Sequence, residues 1–390
     1  MFSVLSATAN SVIVVPDDYS TIQKAVDHSS SGDTVFVKSG VYNENVVLDK
    51  NGVRLIGENS DTTVIDGSGT GTSVYVKANN TEVNNFTIQN SGYDLTDSGV
   101  NINGSYTTLL SNNKLSGNHI GIYLSSSSNC KLRNNNMTGN EFNFGVSGGS
   151  LQEFIHDIDM SNTVDGKKVV YWINQAGKQV LADAGYVAVI NSTGITVKDL
   201  NIAKNWQTIM LAYTTDSNIE NVTVTANMDA IWLIECSNCS VIGNRVIEND
   251  WGGIALVNSQ LCSFEYNNIT ENKGYGIFLS DSSDNIFYNN NFVDNANQVW
   301  LFGVSIDNWD DGEQVGGNYW SDYNGQDSNN DGFGDTPYII DSDNIDDYPL
   351  MQPYSNFYPE SNFVQWAVAG IAIIVTVSIV SYVLTRRRHI

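Results

Sequence analysis

The chain has 390 residues, and its hydrophobic content of 41% excludes wholesale disorder. It carries 43 acidic and 18 basic residues, which gives a formal net charge of −25. The sequence contains no basic stripe, so nucleic acid is an improbable class of partner, and cations or polar glycans are favoured.

The chain begins with MFSVLSATA, which ends in the Ala-x-Ala pattern of a signal-peptide cleavage site. The apolar run is short and no basic residue precedes it. We interpret residues 1–9 as a truncated export signal, with a plain amino-terminal tail as the alternative.

The next segment, residues 10–50, combines a helical pattern with a strand pattern. Ile22, Ala25 and Val26 have helical spacing, and Val35 and Val37 alternate after a Gly-Asp turn. A short amphipathic helix here would cover the apolar end of a stack of repeats, as the terminal units of solenoids must.

A repeat of 22 to 23 residues occupies two blocks, 51–149 and 185–304. Asn249, Asn272 and Asn295 are 23 residues apart, and Asn118 and Asn140 are 22 apart. A period of this length with short strand-like runs and Asn, Ser and Gly turns is typical of a β-solenoid. We therefore expect the asparagines to form a polar ladder that hydrogen-bonds along the stack at a corner.

Apolar residues repeat at the same step. Pairs two residues apart, such as Ile254 with Leu256, mark the inner side of a strand. Stacked coils place equivalent residues about 4.8 Å apart. Ile254 and Ile277 should therefore be neighbours, and Val246, Ile269 and Phe292 should form an apolar ladder.

Residues 150–184 break this rhythm. They contain IHDIDMSNTVDGKKVVYWINQAGKQV, which alternates and turns like a hairpin of two or three strands. We expect a protruding insertion.

The four cysteines occupy the solenoid. Cys130, Cys239 and Cys262 share one position in the repeat, so buried thiols in a ladder explain them more simply than a metal or redox pair at Cys236 and Cys239. Stacked Cys239 and Cys262 would lie within reach of a disulfide. We expect neither zinc nor copper, because the chain has only four histidines and none lies near the cysteines in sequence.

Two sets of repeated side chains are candidate functional groups. Glu248, Glu271 and Asp294 would stack as a carboxylate column about 5 Å apart, the separation that a retaining glycosidase uses. They are weak catalytic candidates, because a solvated turn tolerates acidic residues without any catalytic role.

An aromatic stripe is the second set. Met210, Trp232, Ala255 and Phe278 lie between inward residues and should line one outer face, and Tyr123 has the same slot in an earlier coil. Aromatic rings there suit glycan binding by Tyr123, Trp232 and Phe278. Burial of the stripe under the insertion or the carboxyl-terminal cap is the alternative.

The segment 305–352 is acidic. Residues 305–349 contain twelve acidic residues and no Lys or Arg. Within it, DSNNDGFGD has the spacing of a calcium loop, with a turn glycine at Gly332 and Tyr338 in place of the usual final glutamate. The predicted ligands are Asp327, Asn329, Asp331, the Phe333 carbonyl and Asp335; a metal-free acidic turn is the alternative.

The carboxyl-terminal end has the pattern of a membrane anchor. After a linker at 353–362, residues 363–385 include 22 successive uncharged residues, enough to cross a bilayer. Three arginines follow, so the tail, 386–390, is expected in the cytoplasm and the solenoid outside the membrane. Sequons typical of an exported glycoprotein begin at Asn79, Asn85, Asn103, Asn136, Asn191, Asn221, Asn238 and Asn268.

Several phrases carry a family resemblance. TIQKAV, GDTVFVKSGVYNENV and GVRLIGE are similar to the opening of pectin-lyase-like parallel β-helices, and HDIDMSNTVDGKKVVYW and GGNYWSDYNGQDSNNDGFGDTPYIID resemble archaeal cell-surface proteins with NosD-type repeats of the carbohydrate-binding and sugar-hydrolase (CASH) kind. This resemblance implies a right-handed, single-stranded parallel β-helix at the cell surface. It leaves the activity open, because function lies in a site and not in a fold.

Together these patterns predict an all-β, membrane-anchored surface protein with an amino-terminal cap helix and an acidic carboxyl-terminal cap. Its predicted role is binding of cell-envelope or extracellular polysaccharide, or adhesion, without catalysis. A membrane-tethered polysaccharide lyase or glycoside hydrolase is the main alternative, and a structural surface-layer component is the third.

Overall fold

The computed structural model describes residues 10–355, and almost every regular element in this range is a short β-strand. Successive repeats pair in parallel, in register, so the chain forms a parallel β-helix. The predicted neighbours Ile254 and Ile277 are paired, which confirms the stacking of coils 23 residues apart.

The elements of the first half are helix α1 (Ile22–His28), a 3₁₀ helix (Leu151–Phe154) and strands β1 (Val12–Val15), β2 (Thr34–Val37), β3 (Gly40–Asn43), β4 (Val46–Leu48), β5 (Arg54–Gly57), β6 (Thr63–Asp66), β7 (Val74–Val76), β8 (Glu82–Asn84), β9 (Thr87–Gln89), β10 (Ser98–Asn103), β11 (Leu109–Ser111), β12 (Lys114–Ser116), β13 (Ile120–Ser125), β14 (Lys131–Arg133), β15 (Asn136–Met137), β16 (Phe142–Ser147), β17 (Asp157–Ile158) and β18 (Thr163–Val164).

The strands of the second half are β19 (Lys167–Ile173), β20 (Ala184–Ile190), β21 (Thr196–Lys198), β22 (Asn201–Ala203), β23 (Gln207–Ala212), β24 (Asn218–Glu220), β25 (Thr223–Thr225), β26 (Asp229–Ile234), β27 (Ser240–Ile242), β28 (Arg245–Ile247), β29 (Gly252–Val257), β30 (Ser263–Glu265), β31 (Asn268–Thr270), β32 (Tyr275–Ser280), β33 (Ile286–Tyr288), β34 (Asn291–Val293), β35 (Val299–Phe302), β36 (Tyr319–Trp320), β37 (Tyr338–Ile339) and β38 (Ile345–Asp346).

The strands form two stacks that share one sheet. In the first stack, sheet A runs β1-β2-β5-β8-β11-β14-β17 and sheet C runs β4-β7-β10-β13-β16. Sheet B has 13 strands and continues through both stacks, in the order β3-β6-β9-β12-β15-β18-β19-β20-β23-β26-β29-β32-β35. The second stack adds sheet D, β21-β24-β27-β30-β33, and sheet E, β22-β25-β28-β31-β34-β36.

Buried asparagine ladders tie the coils together. The Oδ1 atom of Asn272 accepts from the backbone N–H of Asn249 at 3.2 Å and from its Nδ2 at 2.8 Å, and Asn295 repeats both bonds to Asn272. The predicted ladder is therefore confirmed. The residue before each asparagine, such as Glu248 (φ 53°), takes the left-handed backbone of the turn, while the asparagine side chain points inward.

The amino-terminal helix lies where the spacing predicts it. Thr21 caps α1 by accepting from the Lys24 N–H at 3.3 Å, and Ile22, Ala25 and Val26 are buried in the core of the first stack. The role of the helix as an end cap stays a prediction.

The stretch 150–184 differs from the protruding insertion that the sequence suggested. β17 pairs in parallel with β14, and β18 pairs in parallel with β15, so this stretch completes the first stack. The expected hairpin is present but tight: β18 and β19 are antiparallel around Asp165 and Gly166, which both have positive φ. The strands stay in the stack because Phe154, Ile158 and Val164 are buried in its core.

This hairpin moves the chain to the other face of sheet B. β19 runs antiparallel to β18 and parallel to β20, so strand direction reverses there. Tyr186, Ala188 and Ile190 of β20 belong to the core of the first stack, whereas Val187 and Val189 belong to the core of the second. All seven residues of β20 are buried, because each face of the strand packs on a different core.

The segment that follows β35 packs on the last coil of the second stack. Trp309 stacks on Phe287 with ring centroids 4.3 Å apart, and Trp320 stacks on Phe292 at 4.3 Å. The indole Nε1 of Trp320 donates to Asp346 at 2.8 Å. Large rings therefore cover the apolar cross-section of the final coil.

Three sequence expectations lie outside the described residues: the export signal at 1–9, the membrane span at 363–385 and the cytoplasmic tail at 386–390. Most of the linker at 353–362 lies outside as well. Between residues 10 and 355, none of the helices has the length and apolar character needed to cross a membrane.

We predict that removing one rung of an asparagine ladder destabilises the protein by about 3 kcal/mol. Asn267→Ala would remove the acceptor of the buried Asn244 N–H and of one Nδ2 hydrogen of Asn244, and it would remove the side-chain donor to the Val241 carbonyl. The midpoint of thermal or denaturant unfolding should fall accordingly. Asn268→Ala is the matched control, because that neighbouring side chain is half-buried and makes no described hydrogen bond; equal effects of the two variants would contradict the prediction.

Candidate functional site

The reversal at the hairpin ends the first stack partway along sheet B. The place where the first stack ends on sheet B forms a step on the surface of the molecule. The last long strand of the first stack, β16, lies against the outer face of β20 and β23. The Phe144 and Tyr186 rings are 4.7 Å apart, and the Trp206 N–H donates to the Phe144 carbonyl at 3.0 Å. Beyond this contact, the outer face of sheet B continues without the first stack above it.

The predicted outer stripe is confirmed as one ladder of sheet B. Met210, Trp232, Ala255 and Phe278 are paired in that order, and Trp300 extends the series. Met210 is fully buried under the first stack, Trp232 and Phe278 are half-buried, and Trp300 is 42% exposed. The side chains of the stripe are therefore buried at the step and exposed at the last strand of the sheet.

Four rings at the open end form what we call the aromatic platform: Trp251, Tyr275, Phe278 and Trp300. Trp300 lies 6.0 Å from both Trp251 and Phe278, and Tyr275 lies 5.5 Å from Phe278, measured between ring centroids. The indoles of Trp251 and Trp300 are each more than 40% exposed. Clustered rings with open faces suit the apolar face of a sugar ring.

A buried carboxyl lies beneath the platform. Asp229 is 5% exposed, and its Oδ1 accepts from the Tyr275 hydroxyl at 2.7 Å, across two coils. Gly252 lies on the strand between those of Asp229 and Tyr275. A side chain at Gly252 would overlap both the Tyr275 ring and the Asp229 carboxyl, so the glycine permits this contact.

Burial changes the protonation of this acid. Loss of solvation raises the pKa of Asp229 to about 7, although the Tyr275 hydroxyl and the Trp232 indole partly oppose the shift. The Trp232 Nε1 is itself buried without a hydrogen bond of good geometry. Burial beside the rings therefore favours the protonated, uncharged form of this carboxyl.

Tyr123 does not lie on the ladder of Trp232 and Phe278, contrary to the sequence expectation. It belongs to β13 of sheet C, where it pairs with Asn101 and Gly145. The position of Tyr123 within the repeat is as expected. The hairpin, however, moves the long strands from sheet C to sheet B between the two stacks. The Tyr123 ring is 7% exposed and lies 5.4 Å from the Trp206 ring, at the inner corner of the step.

The carboxylate column lies on turns between sheets E and B. Glu248, Glu271 and Asp294 follow strands that are paired in register, and all three are exposed with positive φ. The structure gives them a solvated corner, and catalysis by the column stays an untested expectation.

The four cysteines are free and buried, as the ladder interpretation predicts. The thiols of Cys236, Cys239 and Cys262 donate to backbone carbonyls of Leu211, Thr214 and Gln260 at 3.3 to 3.5 Å. Burial raises the pKa of the Cys236 thiol well above its usual range. The structure contains no disulfide between Cys239 and Cys262.

The predicted calcium loop forms a tight turn. Asp327 accepts from the N–H groups of Asp331 (3.1 Å) and Gly332 (3.0 Å), and Gly332 has φ 95°. Asp331 accepts from the Phe333 N–H, and Asp335 accepts from the Ser328 N–H, both at 2.9 Å. Asn329 accepts from the Asp331 N–H at 3.1 Å. The loop conformation is present, and calcium binding by it stays a prediction.

Sequence reasoning missed Asp229, Tyr275, Trp206 and Gly252. One signal was available: the first residue of each long strand in the second stack is Gln207, Asp229, Gly252 and Tyr275 in turn. These residues share one repeat position and differ in chemistry, unlike the apolar residues that follow them in the same strands. The contact between Tyr275 and Asp229 passes over Gly252. It depends on side-chain geometry, which the sequence pattern does not give.

Comparison with protein families gives a match over most of the chain. Residues 26–183 and 161–325 each match the family described as "Periplasmic copper-binding protein (NosD)". No curated protein matches the chain significantly. The matches carry no information on an archaeal origin or on CASH repeats.

Solved structures with similar folds include enzymes named for their action on polysaccharides, but the likeness is low. An alginate lyase from Paenibacillus sp. str. FPU-7 has 12% identity and a TM-score of 0.33, over 66% of this chain and 94% of that one. The catalytic domain of a GH87 α-1,3-glucanase has 11% identity and a TM-score of 0.36, over 80% and 69%. The A-module of Azotobacter vinelandii mannuronan C-5 epimerase AlgE4 has 17% identity and a TM-score of 0.33, over 77% and 96%. At these values the likeness carries no functional argument.

The family description raises the question of a copper site. Within residues 10–355, no group of three or more His, Cys, Asp or Glu side chains is placed to hold a metal ion. The soft donors nearest to one another are the buried cysteines, whose thiols already donate to carbonyl oxygens. The described residues therefore do not fit copper, and we assign it no role.

We predict that Asp229 makes the protein less stable as the pH rises. Between about pH 4, the pKa of an unfolded aspartate, and the folded value of about 7, only the folded state keeps this proton. Stability is therefore lost across this range, by about 1.4 kcal/mol per unit of pKa difference. Asp229→Asn removes the titration, so the variant should gain stability over the wild type as the pH rises from 4 to 8.

Melting temperatures at both pH values would measure this gain. Asp61→Asn is the control, because it makes the same substitution at an exposed carboxyl. A constant difference between Asp229→Asn and the wild type at both pH values would contradict a buried, titrating Asp229.

We predict that millimolar calcium raises the melting temperature of the wild type and that Asp331→Ala removes this shift, because a loop of alternating oxygen ligands converges on a hard ion. Calorimetry of calcium binding checks the same point, with Asp327→Ala as a second variant. Asp311→Ala is the control, since that exposed acidic residue lies outside the loop. The absence of heat in all of these proteins would reject calcium binding.

Proposed function

The chain belongs to the NosD family, and on that premise we propose that it is an exported β-helix protein that binds polysaccharide on its outer surface. The observation that carries this proposal is the aromatic platform, where the Trp251 and Trp300 indoles remain exposed although each contacts another ring of the cluster. Soluble proteins seldom leave large aromatic clusters in solvent without a binding role.

The surroundings of the platform are polar, as a glycan site requires. Asp250 precedes Trp251 and pairs with Lys273, which is itself exposed. The Asn297 side chain donates to the Gly274 carbonyl at 2.8 Å, so it is held at the same edge. Polar groups at the rim and rings in the centre match the two kinds of surface on a pyranose.

The family description and the apolar segment near the carboxyl-terminal end support the proposed location. A periplasmic family description supports an exported protein, and the 363–385 segment supports attachment to a membrane with the β-helix on the outer side. A net charge of −25 suits a surface exposed to solvent and cations. Anchoring is thus part of the proposal.

The contacts of the Asp229 carboxyl favour binding over catalysis. The Oδ1 atom of Asp229 is occupied by the Tyr275 hydroxyl, and the whole side chain is 5% exposed, beneath the rings. A glycosidase or lyase would need a carboxyl or base that meets the substrate directly. Asp229 instead orients Tyr275, which contacts Phe278 and Trp300.

We predict that Trp300→Ala weakens polysaccharide binding about tenfold, which corresponds to about 1.4 kcal/mol of lost stacking. Phe278→Ala should act in the same direction. A glycan array with neutral, N-acetylated and uronate polysaccharides would identify the ligand, and titration calorimetry of the full-length protein would measure the loss.

The control variant is Phe302→Ala. Phe302 lies on the same strand, is 64% exposed and makes no ring contact with the platform. Equal binding by all three variants, with only stability altered, would end the platform proposal. Release of reducing ends or unsaturated uronates from a bound polysaccharide would instead identify an enzyme.

A further inference from the structure

A cleft of about 380 Å³ lies on the outer face of sheet C, separate from the platform. Its floor is one outward ladder across four coils: Val47 pairs with Tyr75, Tyr75 with Asn101, and Asn101 with Tyr123. The loop at residues 92–97 forms a wall, and Thr96 and Asp97 line the cleft from that side.

The centre of this floor holds an acceptor without a donor. Asn101 is 4% exposed; its Nδ2 donates to the Thr96 carbonyl at 3.2 Å, but its Oδ1 has no hydrogen-bond partner. A buried, unpaired carbonyl oxygen costs about 1–3 kcal/mol. Eight buried side-chain polar atoms between residues 10 and 355 lack a hydrogen bond, and the Asn101 oxygen is the one among them whose residue lines this cleft. A donor from a ligand in the cleft would satisfy it.

We propose that this cleft is a second glycan subsite, selective for a neutral polysaccharide whose hydroxyl groups donate to Asn101. The proposal rests on the glycan-binding function proposed above and names the class of ligand. Tyr75 and Tyr123 flank Asn101 at two strand spacings from each other, about 9.6 Å. Rings at that separation can each meet one sugar unit of a chain that runs along the stack.

The polar lining explains the selectivity. Asp97 supplies a carboxylate and Asn101 supplies an amide oxygen, and both are acceptors. Among the residues lining the cleft none is basic. The Lys77 ammonium lies 4.7 Å from the Tyr75 ring centroid. Hydroxyl or amide N–H donors would satisfy such a lining, whereas a uronate carboxylate would add a further acceptor to it.

The cleft and the platform are linked through the step. Tyr123 forms one end of the cleft, and its ring lies 5.4 Å from Trp206. The Asp229 N–H donates to the Trp206 carbonyl at 2.8 Å, and Asp229 in turn contacts Tyr275 of the platform. A long glycan could therefore occupy both surfaces, while a short one would reveal each separately.

The test compares short oligosaccharides on the full-length protein by titration calorimetry. The probes are maltohexaose, cellohexaose and N-acetylchitohexaose as neutral chains, and a guluronate hexamer as the acidic chain. Asn101→Ala should weaken binding of the preferred neutral hexamer at least tenfold. Because the variant also loses the Nδ2 bond to the Thr96 carbonyl, its binding is measured at a temperature at which it is fully folded. Tyr75→Ala should also weaken it.

Tyr106→Ala is the matched control, since Tyr106 is an exposed tyrosine of the same stack outside the cleft. Unchanged affinity of Asn101→Ala for every hexamer, with loss of binding in Trp300→Ala, would overturn the cleft and leave the platform standing. Loss in Asn101→Ala with unchanged binding in Trp300→Ala would support the cleft and overturn the platform. Tighter binding of the guluronate hexamer than of any neutral chain would overturn the selectivity.

Discussion

From the coil of Phe86 onward, buried amide side chains hold most coils of this protein in register with the next. In the ladder from Asn205 to Asn295, an Oδ1 atom accepts from the backbone N–H of the previous rung, and most rungs add a bond from the previous Nδ2. The turns would otherwise bury polar backbone groups, which is costly. Because these bonds fix the register, every outward residue acquires a defined neighbour one coil away.

The hairpin at Asp165 and Gly166 interrupts this regular stacking and begins a second stack. It reverses strand direction, so the second stack closes on the opposite face of the shared sheet, and strands β20 and β23 are buried on both sides. Burial on both faces stabilises the junction through apolar contact. It also ends the first stack beside an open sheet, and a concave corner results.

The chemistry of the molecule is concentrated around that corner. Tyr123 and Trp206 lie on one side, and Asp229, Tyr275 and the exposed indoles lie on the other. Enclosure raises the pKa of the Asp229 carboxyl to about 7, and the Oδ1 atom of this carboxyl accepts the hydrogen bond that holds Tyr275 in place. The interruption therefore places the aromatic platform of this NosD-family protein beside the end of the first stack.

Sequence by itself determined the repeat, its period, the inward pairs, the asparagine ladders and the outward series from Met210 to Phe278. Those features depend on spacing along one chain, and in-register stacking converts spacing directly into contact. The tertiary structure alone decided which face each stack closes on, and therefore that Tyr123 and Trp232 lie on different sheets. The side-chain contacts at Asp229 and the unpaired oxygen of Asn101 also depended on it, because burial and hydrogen-bond partners arise from elements distant in sequence.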